Sequence, residues 1–177
     1  TVALFGILRP NDTVLAVSGM PYDTIRGVIY GEGNGSLKDF GVGFDCVSLT
    51  EKGKFDFPAI QAEIKRIGES LKMIYIQRSR GYELRDAFTI SEIEEVCKFV
   101  RSLGFNGCIF VDNCYGEFVE IKEPCDVGAD IAVGSLIKNP GGGLTPTGGY
   151  IVGKKEYVEL IGRRLTAPSI GNEVGSY

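Results

Sequence analysis

The chain has 177 residues, 44% of them hydrophobic and 24% charged, with a formal net charge of -4, a composition that fits one globular domain with a substantial core. The acidic balance and the absence of an extended basic run leave no footprint for nucleic acid or an anionic membrane, and no apolar run approaches the roughly 18 residues of a spanning helix. Five cysteines without Cys-x-x-Cys spacing suggest neither a disulfide framework nor a zinc site and point to the cytoplasm, while the lack of any histidine removes Ser-His-Asp and Cys-His catalysis.

Thr1 to Leu8 reads as the tail of a helix already under way, without a charged leader or cleavage site, and Arg9 to Asp12 ends it with turn chemistry. Val14 to Val17 predicts a first strand, after which Tyr22, Ile25 and Ile29 recur at helical spacing. A second strand is expected near Gly43 to Ser48. Asp56 and Pro58 then open a helix whose apolar stripe is Ile60, Ile64, Ile67 and Leu71. Met73 to Ile76 is a third strand, ending on the polar loop Gln77 to Tyr82. Thr89 with Glu92 makes a capping box, Phe88 and Ile93 take the staple positions, and Ile93, Val96, Val100 and Leu103 share one face of the helix that follows.

Cys108 to Val111 is the fourth strand and delivers Asp112; Ile131 to Val133 is the fifth and delivers Ser135 and Lys138. A sixth, Gly149 to Val152, leads into a helix from Lys154 to about Leu165. Strands alternating with helices predict an α/β fold: a mostly parallel sheet with helices on both faces. The interval before the sixth strand is too short for a crossover helix, so that strand is expected to be antiparallel. Ligands of such sheets bind beyond the carboxyl ends of the strands, where Tyr22, Gln77 to Tyr82, Asp112 and Ser135 to Lys138 converge.

The chemistry centres on Lys138, set at the mouth of a strand and followed by Asn139, Pro140 and three glycines. A lysine at the edge of an apolar layer is expected to lose its charge more easily, as an amine that attacks carbonyls requires. Asp112 and Lys138, delivered from successive strands, suit pyridoxal phosphate: the lysine carries the cofactor covalently, the aspartate keeps its ring nitrogen protonated, and Ser135 can hold the phosphate. Blander readings stand beside these. Lys138 also reads as a surface lysine, Asp112 as a helix cap, Tyr22 as a core-edge residue, Arg78 and Arg80 as solvated loop charges, and Cys114 as a small buried residue. Ser135-x-x-Lys138 also fits a serine-lysine acyl transferase, though no Lys-Thr-Gly strand accompanies it. A non-catalytic alternative is a parallel-sheet module whose glycine loop binds an anion or a partner.

Asp112-Asn113 with Ser135-x-x-Lys138 resembles the pattern of fold type I pyridoxal-phosphate enzymes of cysteine and methionine metabolism. More closely, GSLIKNPGGGLTPTGGYIVG (134–153), QRSRGY (77–82) and RLTAPSIGNEVG (164–175) resemble the methionine gamma-lyase-like family, also called aluminium-resistance proteins. The resemblance covers nearly the whole chain. It implies an aminotransferase-like large domain and a carbon-sulfur lyase performing beta or gamma elimination on cystathionine, cysteine or methionine, or another reaction of the same fold such as transamination.

Residue by residue, the resemblance implies Lys138 as cofactor anchor and catalytic base, Asp112 as partner of the ring nitrogen, Ser135 as phosphate ligand and Tyr22 as the aromatic ring stacked on the cofactor. Tyr22 or a residue of a partner subunit would protonate the leaving sulfur. The asparagine that the superfamily sets against the cofactor's phenolic oxygen is absent near Gly81, which leaves Gln77 or Arg78 for that role. The upstream phosphate turn and the small C-terminal domain are also absent, so residues 1–177 are expected to be an incomplete large domain of a longer enzyme, a homodimer or homotetramer.

Overall fold

In a computed structural model, which describes residues 1–167 together with 170, 171 and 173, the chain runs α1 (Val2–Ile7), β1 (Thr13–Ala16), α2 (Asp23–Tyr30), β2 (Gly43–Cys46), α3 (Phe57–Ile67), β3 (Leu71–Gln77), α4 (Ile90–Ser102), β4 (Cys108–Asp112), β5 (Ile131–Ser135), β6 (Gly149–Gly153) and α5 (Lys155–Gly162). The strands form one sheet of order β2-β1-β3-β4-β5-β6. Every pairing is parallel except β5 with β6, whose antiparallel register runs from Ile131 opposite Gly153 to Ser135 opposite Gly149. The expected α/β architecture and its single antiparallel strand are both present. Residues 168, 169, 172, 174 and 175 of the RLTAPSIGNEVG run lie outside the described residues.

Alternation along the strands divides the core into two layers. Ile74 and Ile76 of β3 and Ile109 and Val111 of β4 join Ile60 of α3 and Ile93, Val96 and Val100 of α4. Met73, Tyr75, Cys108 and Phe110 point the other way and pack with Leu4 of α1, Ile29 of α2 and Ile161 of α5. A period of two places neighbours on opposite faces, so Asp112, two residues beyond Phe110, falls on the α1–α2–α5 side.

Local signals explain the helix bounds. The Asp56 carboxylate accepts from the Ala59 amide at 3.0 Å with Pro58 in the first turn of α3. In α4 the Glu92 amide donates to Thr89 Oγ1 at 3.2 Å and the Thr89 amide to Glu92 Oε2 at 2.9 Å, a complete capping box. Gly68, at φ 65°, ends α3, so Leu71 opens β3 instead of extending the helical stripe; a left-handed backbone that favours glycine breaks the period before it reaches Leu71.

The chain leaves β1 for β2 on one side and returns for β3 on the other, so the order reverses between β1 and β3, the place where such sheets bind ligands. There the Gln77 amide donates to Ser18 Oγ at 2.8 Å, and the Tyr22 amide donates to Gln77 Oε1 at 3.0 Å. Among the described residues no helix is long and apolar enough to cross a membrane.

Candidate active site

Beyond the carboxyl ends of β1, β4 and β5 lies a cleft of about 580 Å³ whose lining includes Tyr22, Asp112, Ser135 and Lys138. Four of the six residues singled out from sequence therefore meet in one place. Asp112, the last residue of β4, is 8% exposed. Its Oδ1 accepts from the Cys114 amide at 3.1 Å, whereas Oδ2 has the Tyr75 hydroxyl at 3.5 Å, the long limit of a hydrogen bond. The other buried aspartate, Asp130, is instead paired with Arg101 at 2.5 Å and Lys154 at 2.7 Å. A carboxylate shielded from water, with an under-used oxygen beside a cleft, is a receptor for a cationic N–H.

Lys138 follows β5 and is fixed through its backbone: its amide donates to Ser135 O at 3.3 Å, and the Gly141 amide donates to its carbonyl at 3.2 Å. Its Nζ stands 4.5 Å from the ring centre of Tyr115 and 5.9 Å from that of Tyr22. The expected easy loss of charge is corrected here. Burial pulls the Lys138 ammonium down, but Cys114, Tyr115 and Tyr22 outweigh it, and the net direction is up. Groups that can turn anionic favour the charged amine more than partial burial disfavours it.

Tyr22 precedes α2 and its ring lines the cleft. Burial and the nearby Asp112 push its phenol up, against the opposing pull of Lys138, so at neutral pH it is a protonated donor. Gln77, 5% exposed, holds the Tyr22 amide and donates to Ser79 O at 3.1 Å; it acts on the cleft through Tyr22. Ser135 lies on the cleft wall, where its Oγ accepts from the Ile137 amide at 3.3 Å.

Arg78 is placed elsewhere. It is 3% exposed, and its guanidinium donates to Phe88 O, to Asn113 Oδ1 at 2.8 Å, to Gly116 O at 2.9 Å and to Glu120 Oε1 at 2.7 Å, with Glu123 at 3.7 Å. All three nitrogens are engaged, so Arg78 stitches the end of β3 to the loop after β4 and does not line the cleft.

Several cleft residues carry no separate signal in the sequence. Val2, Ala3 and Leu4 of α1 close one side, and Tyr75, Phe110 and Tyr150 line other parts. Tyr150 donates to Glu117 Oε1 at 2.9 Å and accepts from Asn113 at 3.3 Å. A Cβ on Gly134 would lie 2.4 Å from Glu117 Oε1 and from the Tyr150 ring, so the glycine before Ser135 is what lets this pair cross β5. The Tyr150–Gly134 register needs the β5–β6 pairing, which no local pattern specifies.

Cys114 sits beside Asp112 and Lys138. Burial, then Asp112, push its thiol up to about 11, against Lys138. At pH 8 roughly one part in a thousand is then thiolate, and the thiolate is the reactive form. Iodoacetamide labelling followed by peptide mapping is expected to leave Cys114 almost unmodified at pH 8, with a rate rising about tenfold per pH unit toward 11; fast labelling at neutral pH would contradict this placement.

The family profile described as Methionine gamma-lyase matches residues 1–177. An uncharacterized protein, YnbB of Bacillus subtilis (strain 168), is 54% identical over 179 residues, an alignment covering 99% of this chain and 42% of that protein. A solved structure from Listeria monocytogenes, described as a "putative cystathionine beta-lyase involved in aluminum resistance", is 55% identical with a TM-score of 0.93, covering 98% of this chain and 44% of that one. A PLP-dependent aminotransferase from Streptococcus suis shares the fold at 20% identity and a TM-score of 0.65, covering 90% of this chain and 40% of that one. The chain thus spans less than half the length of these relatives.

Proposed function

Because the chain belongs to the methionine gamma-lyase family, we propose that the full-length protein is a pyridoxal-phosphate-dependent carbon-sulfur lyase acting on a sulfur amino acid of the cystathionine, cysteine or methionine type. The observation that carries this reading is Lys138 and Asp112 lining one cleft, with the carboxylate buried and one of its oxygens weakly partnered. Both features fit the cofactor: an amine to hold it covalently and a carboxylate to hold a protonated ring nitrogen. The chain then forms part of a large domain of a longer enzyme, a reading supported by the 42% of YnbB that it spans.

Bound pyridoxal phosphate would supply an electron sink for breaking bonds at the alpha carbon. The chain's own residues do the rest. Lys138 would carry the cofactor and, once displaced by the substrate amine, take the proton from the alpha carbon. Asp112, buried at the end of β4 with the Tyr75 hydroxyl 3.5 Å from Oδ2, would direct its carboxylate at one nitrogen. Tyr22, protonated at neutral pH and ordered through Gln77, would stack on the cofactor and give its proton to the leaving sulfur. Ser135 would take the phosphate.

A product assay of the full-length enzyme across cystathionine, cysteine and methionine tests this function. A keto acid and ammonia released together with a thiol, or with hydrogen sulfide in the case of cysteine, from at least one of them is the expected result. Pyridoxamine accumulation without release of a thiol or hydrogen sulfide would make the protein an aminotransferase and overturn the lyase reading.

A further inference from the structure

Tyr115 carries a feature that the chemistry above leaves unused. Its φ is 67°, a left-handed conformation that bulky L-residues adopt only at a cost in free energy. The turn around it is locked on both sides. The Asn113 amide donates to Val133 O at 2.8 Å and the Gly116 amide to Asn113 O at 2.8 Å, while Arg78 binds Asn113 Oδ1 at 2.8 Å and Gly116 O at 2.9 Å. A Cβ on Gly116 would lie 2.4 Å from the Arg78 guanidinium, so the arginine fills the space directly behind the turn.

Burial of Tyr115 does not account for the strained backbone, because the residue is 59% exposed. What the strained backbone does accomplish is to lay one ring face toward Lys138, 4.5 Å from Nζ. Strain kept at a reactive group is a sign of function when the surroundings enforce it. We propose that Tyr115 is a residue of the reaction centre, pinned by Arg78, whose ring face receives the free Lys138 ammonium and so sets the position and charge of that amine. The other groups facing Lys138 are Cys114, on the same turn, and Tyr22, before α2; Tyr115 acts beside them as the nearer of the two rings. Tyr115 is not among the residues lining the cleft itself; it borders a second cavity of about 510 Å³ with Arg80, Arg85 and Asp86, and it reaches the cleft through its ring face at Lys138.

This refines the role of Lys138 in the lyase reading, yet its test needs no cofactor, so a failure here leaves that reading standing and the converse also holds. The full-length protein, freed of cofactor, is treated with acetic anhydride over a range of pH, and modification of Lys138 is followed by peptide mass spectrometry for wild type, Tyr115→Phe and Tyr115→Gly. A ring face favours the charged amine, so removing it lowers the pH at which Lys138 gives up its proton and enlarges the reactive fraction below that pH. Tyr115→Gly is expected to speed modification about two- to fivefold near neutral pH, and the difference should vanish at a pH where the amine is already neutral. Tyr115→Phe, which keeps the face, should match wild type. An unchanged rate in Tyr115→Gly, a Phe variant behaving like Gly, or a rate ratio constant across all pH, which would mean improved access alone, each overturns the proposal.

Discussion

Replacing Lys138 by alanine in the full-length protein is expected to reduce lyase turnover by at least about 10³-fold and to abolish retention of pyridoxal phosphate through gel filtration. The size of the effect follows from the two roles that converge on one amine. As a base, a positioned side chain contributes roughly 10²–10⁴-fold; as the covalent anchor it also fixes the cofactor against Asp112, and orientation of reacting groups adds further to the barrier reduction. The structure offers no obvious substitute: among the described residues Lys138 is the only lysine lining the cleft. Steady-state kinetics and the visible absorbance of the purified variant are the two readouts. Wild-type turnover in Lys138→Ala would remove the residue from the chemistry altogether.

The second large effect is on stability. Arg78→Ala is expected to destabilise the fold by about 3 kcal/mol, at the lower end of the range for breaking a buried ion pair, because Glu120 and Glu123 have side chains 36% and 37% exposed and keep part of their hydration. What is lost is also hydrogen bonding to Phe88 O, Asn113 Oδ1 and Gly116 O; Gly116 O keeps the Val119 amide at 3.3 Å, while Phe88 O and Asn113 Oδ1 lose their guanidinium donor in a region from which water is largely excluded. The exposed neighbour Arg80 provides the control, since substitution away from such networks stays within about 0.5 kcal/mol. Urea denaturation of the two variants separates them. Equal midpoints for Arg78→Ala and Arg80→Ala would mean that the buried guanidinium holds nothing together.

What was legible in the sequence is what local chemistry writes. The capping box at Thr89, the Asp56 cap and the stripe of Ile93, Val96 and Val100 are short-range patterns, and they fold as read. The gathering of Tyr22, Asp112, Ser135 and Lys138 in one cleft follows from the same logic, because strand ends in a parallel sheet share one edge. Leu71 was misplaced because apolar periodicity continues through Gly68, where the backbone does not.

The unread part is long-range. The direction of the Lys138 shift depends first on Cys114 and then on Tyr115 and Tyr22, residues 23 or more positions earlier in the chain, and Tyr115 lies on a left-handed turn that residue type would argue against. Arg78 reads as a loop charge until its partners, 35 to 42 residues away, are known. Tyr150 acquires a role only through the antiparallel pairing that sets it opposite Gly134, and α1, apolar and without a motif, becomes a cleft wall only in three dimensions.

The account rests on Lys138 being the residue that carries pyridoxal phosphate. Reduction of the cofactor-loaded full-length protein with borohydride, followed by peptide mapping, tests that claim most directly. A pyridoxyl group fixed on Lys138, and no fixed group in Lys138→Ala, is the predicted result. Fixation on another lysine, or none in the wild-type protein, would contradict it.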